Sequence, residues 1–112
     1  MKVLISSLNV ILDSIDRIEE YIIGLDFDKF IEDNKTFDAV LMQLQHIWET
    51  TKSTVEKFWD IEWLPIKEMI GLRNFIAHDY LWISKKIIWE TVVSDLPEIK
   101  IILIEKINKN SL

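Results

Sequence analysis

The sequence predicts an all-α fold, an antiparallel bundle of four main helices with one additional short helix. Three observations carry that expectation. Apolar residues recur at three- and four-residue steps over long stretches, only two glycines and two prolines interrupt the 112 residues, and no segment alternates apolar and polar residues between turn signals as a strand would. Hydrophobic residues make up 49% of the chain and cysteine is absent, so the fold must rest on a buried core rather than on disulfides. At this length one domain spanning residues 1–112 is expected.

Leu4, Leu8, Ile11, Ile15, Ile18 and Ile22 form the first stripe, one face of a helix of about six turns. Met1-Lys2 ahead of Val-Leu-Ile resembles the start of a secretory signal. Ser6, Ser7 and Asn9 interrupt the run, Asp13 and Asp16 come soon after, and no small-residue cleavage site appears, so the segment reads as a core helix. Gly24 is its natural stop. Residues 26–34 read as a short helix or turn carrying Phe27, Phe30 and Ile31 inward, with Asn34 or Thr36 capping the helix after it.

The next helix is expected from Thr36 to Trp59, with Phe37, Val40, Leu41, Leu44, Ile47, Trp48, Val55 and Phe58 on one broad side. A connector over residues 60–64 leads to Pro65, which suits a first helical turn because its missing N–H would have no partner there. A helix from Pro65 to Asp79 comes next, then a shorter one from Lys85 to Val93. Asp95-Leu96-Pro97 is expected to break the chain before a last helix from Glu98 to Asn108. Trp48, Trp59, Trp63, Trp82 and Trp89 exceed what one narrow core would hold, so some are expected at a dimer interface.

The formal net charge is −6, from 13 Lys and Arg against 19 Asp and Glu. Phosphate binding draws its affinity from cations that release counterions, so the whole surface is no nucleic-acid platform. Any RNA site must be a local basic pocket, with Arg73, Lys85 and Lys86 as candidates; the alternative for the lysine pair is a solvated helix start. The acidic remainder suits a basic partner protein. No stretch approaches the roughly eighteen continuous apolar residues of a membrane span, and the lack of cysteine agrees with a cytoplasmic setting.

Residues 73–80, Arg-Asn-Phe-Ile-Ala-His-Asp-Tyr, hold the chemistry. On a helix Arg73 and Tyr80 fall within about 20° of one line, with Asn74 and His78 stacked one turn apart beside them. Ala77 leaves room for a phosphate or a second copy of the helix. RNA carries its own nucleophile, the 2′-hydroxyl, so cleavage needs a proton acceptor, charge stabilisation on phosphorus and in-line geometry, without a metal. His78 titrates in the range a base or acid requires, Arg73 offers a planar fork of donors, and Asn74 can orient His78 or bond a phosphate. The alternative is structural: an Arg/His pair near a helix end acting on the dipole, with Asp79 as an ion partner and Tyr80 as packing. His46 and Glu49 lie one turn apart, too few to make a metal site, and His46 reads as a surface residue. Asp26, Asp28, Glu32 and Asp33 lack calcium-loop spacing and read as a solvated face or, alternatively, a surface for a basic partner. No cofactor and no metal are expected.

The spacing Arg-x4-His-x-Tyr resembles the signature of the HEPN superfamily. Arg17 to Asp28 (RIEEYIIGLDFD), Asp38 to Leu44 (DAVLMQL), Trp89-Glu90-Thr91-Val92 and Asp95-Leu96-Pro97 narrow the resemblance to its HepT-like branch, the toxin half of a toxin–antitoxin pair of type II or VII. Met42, Gln43, Trp48 and the stretch from Trp82 to Lys86 depart from that pattern. The resemblance implies a HEPN-like bundle, a homodimer whose two Arg73 and His78 share one cleft, and metal-independent endoribonuclease activity on RNA, not DNA. It also implies an antitoxin, a nucleotidyltransferase of the MNT type that adenylylates Tyr80. The other reading is a non-catalytic helical adaptor or nucleotide-binding subunit of a nucleotidyltransferase complex.

Overall fold

The structure is a computed structural model that describes residues 2–57 and 85–110. The expected helix from Pro65 to Asp79, the connector before it, and Phe58, Trp59, Trp63 and Trp82 lie outside the described residues. Those described form an all-α fold of the antiparallel bundle type, with no strand among them.

Helix α1 spans Lys2–Tyr21. Its stripe is buried as its spacing requires: Leu4, Leu8, Ile11, Ile15 and Ile18 are in the core, and Ile22 packs half-buried at its edge. Each fully covered Leu or Ile contributes about 1.5–3 kcal/mol by leaving water. Ser14 joins the buried face. Gly24 ends the helix in the left-handed region, at φ 77°. A Cβ there would meet no atom within 4 Å, so the backbone angle alone selects glycine.

Helix α2, Phe27–Glu32, is set by two aspartates. Asp26 caps its start, accepting the Lys29 N–H at 2.9 Å. Asp33 closes it, its N–H reaching the Phe30 carbonyl at 3.2 Å, and also opens α3. One carboxyl oxygen accepts the Thr36 N–H at 3.0 Å and the other the Thr36 hydroxyl at 2.6 Å. Asp33, rather than Asn34 or Thr36, is therefore the cap, and Asn34 is already the first residue of α3. A single residue serves both helix ends. Of the three side chains expected inward from α2, Phe30 is fully buried and Phe27 and Ile31 are half-buried.

The Thr36 hydroxyl, then its N–H, holds the Asp33 carboxyl below the usual carboxylate value of 3.8. A folded-state pKa below the unfolded one means stability that is complete above the unfolded value and lost as pH falls through the folded one. Acidification from about pH 6 to about pH 3 should therefore erode the stability advantage of the wild type over Asp33→Asn, which keeps an acceptor but no titratable charge. Thermal unfolding of both across that range checks it; parallel curves would contradict it.

Helix α3, Asn34–Lys57, turns Val40, Leu44, Ile47 and Trp48 into the core, with Phe37 and Leu41 half-buried against it. Its last turns differ from expectation. Val55 is exposed (36%), and Thr51 and Thr54 take the inward positions. Each threonine donates its hydroxyl to the carbonyl four residues back, Ile47 and Thr50, at 2.7 Å, so neither buried hydroxyl lacks a partner.

Helix α4, Lys85–Glu90, a π-helical turn at Thr91–Asp95, and helix α5, Leu96–Asn110, succeed one another without interruption. The expected break at Asp95-Leu96-Pro97 does not occur: Leu96 is helical at φ −62°, ψ −40°, and its N–H bonds the Thr91 carbonyl five residues back. A proline inside a helix lacks a donor and crowds the carbonyl four residues before it; widening the preceding turn accommodates it without ending the rod. Ile88, Val92, Leu96, Ile99 and Leu103 line its buried face.

Helix α1 packs between α3 and α5, and α2 bridges α3 and α4. The short link between α1 and α3 returns the chain alongside itself, so the two run antiparallel. Lys100 of α5 clasps α1 through Asp16 at 2.9 Å and Glu19 at 3.0 Å, and those hydrogen bonds, Asp16 first, raise its pKa. Of the five tryptophans, Trp48 is buried (7% exposed) and Trp89 packs its ring 5.1 Å from that of Phe30. The core itself accounts for these two.

Candidate functional site

Arg73, Asn74, His78 and Tyr80 lie outside the described residues, as do Ala77 and Asp79. The structure does describe the helix C-terminal to the motif and the corner against which that helix begins.

Lys85 opens α4. Its Nζ donates to the Ile31 carbonyl at 3.0 Å and to Asn34 Oδ1 at 3.2 Å, and lies 5.0 Å from the centre of the Phe37 ring. A last-turn carbonyl of α2, a side-chain amide of α3 and an aromatic face thus engage one cation. The sequence left Lys85 between a solvated helix start and an RNA-pocket cation; in the structure the side chain is half-buried against the corner between α2 and α3. Lys86 is exposed.

On the opposite pairing of helices, a groove of about 640 Å³ between α1 and α3 is lined by Asp13, Arg17, Met42, Gln43, His46 and Glu49, with Ser14 at its floor. His46 is an exposed residue of α3, as expected. Its Nδ1 shares a 3.1 Å hydrogen bond with the hydroxyl of Ser14, which is only 2% exposed. Arg17 Nε is held by Asp13 at 3.3 Å. Among the described residues no group of three or more His, Asp or Glu is placed to hold a metal ion, and no helix is long and apolar enough to cross a membrane. The acidic cluster divides by role: Asp26 and Asp33 are helix caps, while Asp28 and Glu32 are exposed.

Sequence reasoning missed the contacts of Lys85 and Ser14. Lys85 meets its partners 51 and 54 positions away, a pairing no local pattern encodes. Ser14 was visible as a polar residue beside Ile15 on the apolar stripe, a signal that its hydroxyl has a partner across the helix seam.

An all-α bundle whose sequence carries arginine, histidine and tyrosine at this spacing defines a class, the small helical proteins with a HEPN-type motif. The family model described as Ribonuclease HepT-like matches residues 11–106. The chain belongs to the HepT-like ribonuclease family. A relative in Methanocaldococcus jannaschii, named a putative RNase, is 34% identical over 94 residues, covering 80% of this chain and 84% of the relative. A protein of Thermococcus cleftensis named probable ribonuclease HepT is 32% identical over 91 residues, 80% of this chain and 83% of the relative. Another named a putative RNase, from Caldanaerobacter subterraneus subsp. tengcongensis, is 30% identical over 91 residues, 80% and 81% of the two chains. No solved structure matches.

Proposed function

We propose that the chain is a metal-independent endoribonuclease, the toxin of a toxin–antitoxin pair, acting in the cytoplasm as a homodimer. The observation that carries this reading is that the segment matched by the ribonuclease family contains Arg73, Asn74, His78 and Tyr80 at the motif spacing. His78 of one protomer takes the proton of the 2′-hydroxyl as that oxygen attacks phosphorus. Arg73 stabilises the charge gathering on the non-bridging oxygens, and Asn74 fixes the imidazole or a phosphate oxygen. The protonated imidazole of the partner's His78 gives its proton to the departing 5′-oxygen. One chain has one such histidine, so acid and base in a single step require two protomers at a two-fold axis. The products are a 2′,3′-cyclic phosphate and a 5′-hydroxyl. DNA, without the 2′-hydroxyl, is not a substrate.

Incubating the dimer with total RNA in excess EDTA tests the scheme. Cleavage is expected to persist and to leave cyclic-phosphate ends; loss of cleavage in EDTA, or 3′-hydroxyl ends, would reject it.

Tyr80 carries the regulation. An antitoxin nucleotidyltransferase of the MNT type joins the phenol oxygen to the α-phosphorus of ATP and releases pyrophosphate. An adenylyl group on Tyr80, two positions from His78 and seven from Arg73, repels and blocks an RNA phosphate. Tyr80→Phe is expected to cleave RNA as the wild type does yet remain active after treatment with the antitoxin and ATP. Complete silencing of that variant by the same treatment would contradict the role. The net charge of −6 favours a second reading, a non-catalytic adaptor for a nucleotidyltransferase, under which neither the wild type nor any variant cuts RNA.

A further inference from the structure

We propose that the groove between α1 and α3 is a binding site for a guanine base, with the Glu49 carboxylate accepting from the N1–H and the N2 amino group and the Arg17 guanidinium donating to O6 and N7. The proposal does not rest on the ribonuclease reading.

The groove measures about 640 Å³, inside the range of roughly 300–1,000 Å³ that small-ligand sites occupy. Its floor is tied: the hydroxyl of Ser14, 2% exposed, shares a 3.1 Å hydrogen bond with His46 Nδ1, which holds the imidazole over the seam between the helices. Asp13 engages Arg17 through Nε at 3.3 Å, leaving the two Nη groups as a planar pair of donors. Neither Gln43 nor Glu49, both in the lining, has a hydrogen bond or ion pair among the described residues. Because α1 and α3 run antiparallel, Arg17 lies three residues to one side of the Ser14–His46 contact and Glu49 three residues to the other. At 1.5 Å per residue their backbones are about 9 Å apart along the axis. Long side chains lean toward the N-terminus of their own helix, and in an antiparallel pair these two leanings converge over His46.

The charges select what fits there. Asp13 and Arg17 offset each other, so Glu49 is an unneutralised carboxylate on a chain of net charge −6. That is a poor seat for a phosphate and a good one for a neutral ligand with adjacent donors. Among the four RNA bases only guanine sets two N–H donors side by side for both oxygens of one carboxylate while offering O6 and N7 to a guanidinium fork. Adenine and cytosine place a ring acceptor beside the amino group, and uracil has one N–H between two carbonyls. Met42, exposed and four positions before His46 on α3, supplies a thioether against which a flat ring packs.

The test titrates the full chain with guanosine, inosine, adenosine, cytidine and uridine while the Met42 methyl and His46 ring signals are followed by NMR. Guanosine is expected to shift both signals and to bind about tenfold or more tightly than adenosine, cytidine or uridine, with inosine, which lacks the N2 amino group, in between. Glu49→Gln sets an amide donor against the donors of the base and should weaken guanosine about tenfold or more. Glu56→Gln, the same change at an exposed position of α3 outside the groove, should match the wild type. An oligouridine strand carrying one guanine, titrated into His78→Ala so that it stays intact, separates the sources of the base. Tighter binding than guanosine monophosphate assigns the groove to a base within an RNA strand, and equal or weaker binding assigns it to a free nucleotide; either supports a guanine site. No binding of guanosine, equal affinity for all the nucleosides, binding that leaves Met42 and His46 unshifted, or guanosine binding unaffected by Glu49→Gln overturns the proposal. Binding of a lysine- and arginine-rich peptide instead, lost in Glu49→Gln, overturns it too, by giving the groove to a basic protein surface. No arm requires that RNA be cut, so failure of the ribonuclease reading leaves the result intact.

Discussion

Replacing His78 by alanine is expected to lower RNA cleavage by about three orders of magnitude, and Arg73→Ala by about two to three. The sizes follow from the proposed scheme. In a dimer that supplies two copies from a single gene position, removing the imidazole would take both the base from one side of the scissile bond and the acid from the other. Removing the guanidinium would leave the proton transfers in place but strip the planar donors from the phosphorane oxygens. Arg73→Lys keeps the charge without the fork and should fall between the wild type and alanine. Both alanine variants should keep the helical circular-dichroism signal and unfolding midpoint of the wild type. Equal cleavage by all three proteins would mean the activity is not that of this chain.

The second large effect is on stability. Phe30→Ala is expected to cost about 3–5 kcal/mol, the range for deleting a buried aromatic ring. Phe30 has no exposed surface and joins three elements: it projects from α2, meets Phe37 of α3 at 5.7 Å and Trp89 of α4 at 5.1 Å. Both ring contacts are with side chains borne by other helices. Phe30→Leu should recover a large part of the loss. Chemical denaturation of the three proteins measures it, and a loss below about 1 kcal/mol for alanine would show that the aromatic cluster relaxes around the gap.

Most of the described helices were legible as spacing. The α1 stripe from Leu4 to Ile18 is buried because helical periodicity and hydrophobicity point to the same positions, and Gly24 stops the helix because only its backbone angle serves there. At the end of α3 neither periodicity nor hydrophobicity suffices: at about 100° per residue Val55 falls between Leu44 and Trp48 on the inward line, yet it is exposed, while Thr51 and Thr54 are buried with each hydroxyl returned to the backbone. Pro97 signalled a break, but the π turn ahead of it preserves the helix. A proline's chemistry is visible in sequence; the backbone's means of absorbing it is not. Asp33 competed with two other good capping residues within three positions, and the choice fell to the one already placed at the end of α2. The candidate site divides likewise. Its residue types, spacing and family are written in Arg73 to Tyr80, whereas the contacts of Lys85 depend on a backbone carbonyl and a side-chain amide more than fifty positions away.

The shared cleft is tested most directly by mixing protomers. His78→Ala protein is added to wild type at fixed total concentration, the subunits are exchanged, and cleavage is measured against the wild-type fraction. If each cleavage needs the imidazole of both chains, activity varies as the square of that fraction, and an equal mixture retains about a quarter of the wild-type rate. A linear fall, with about half the rate remaining in the equal mixture, would mean that each protomer works alone and would contradict a site built from two.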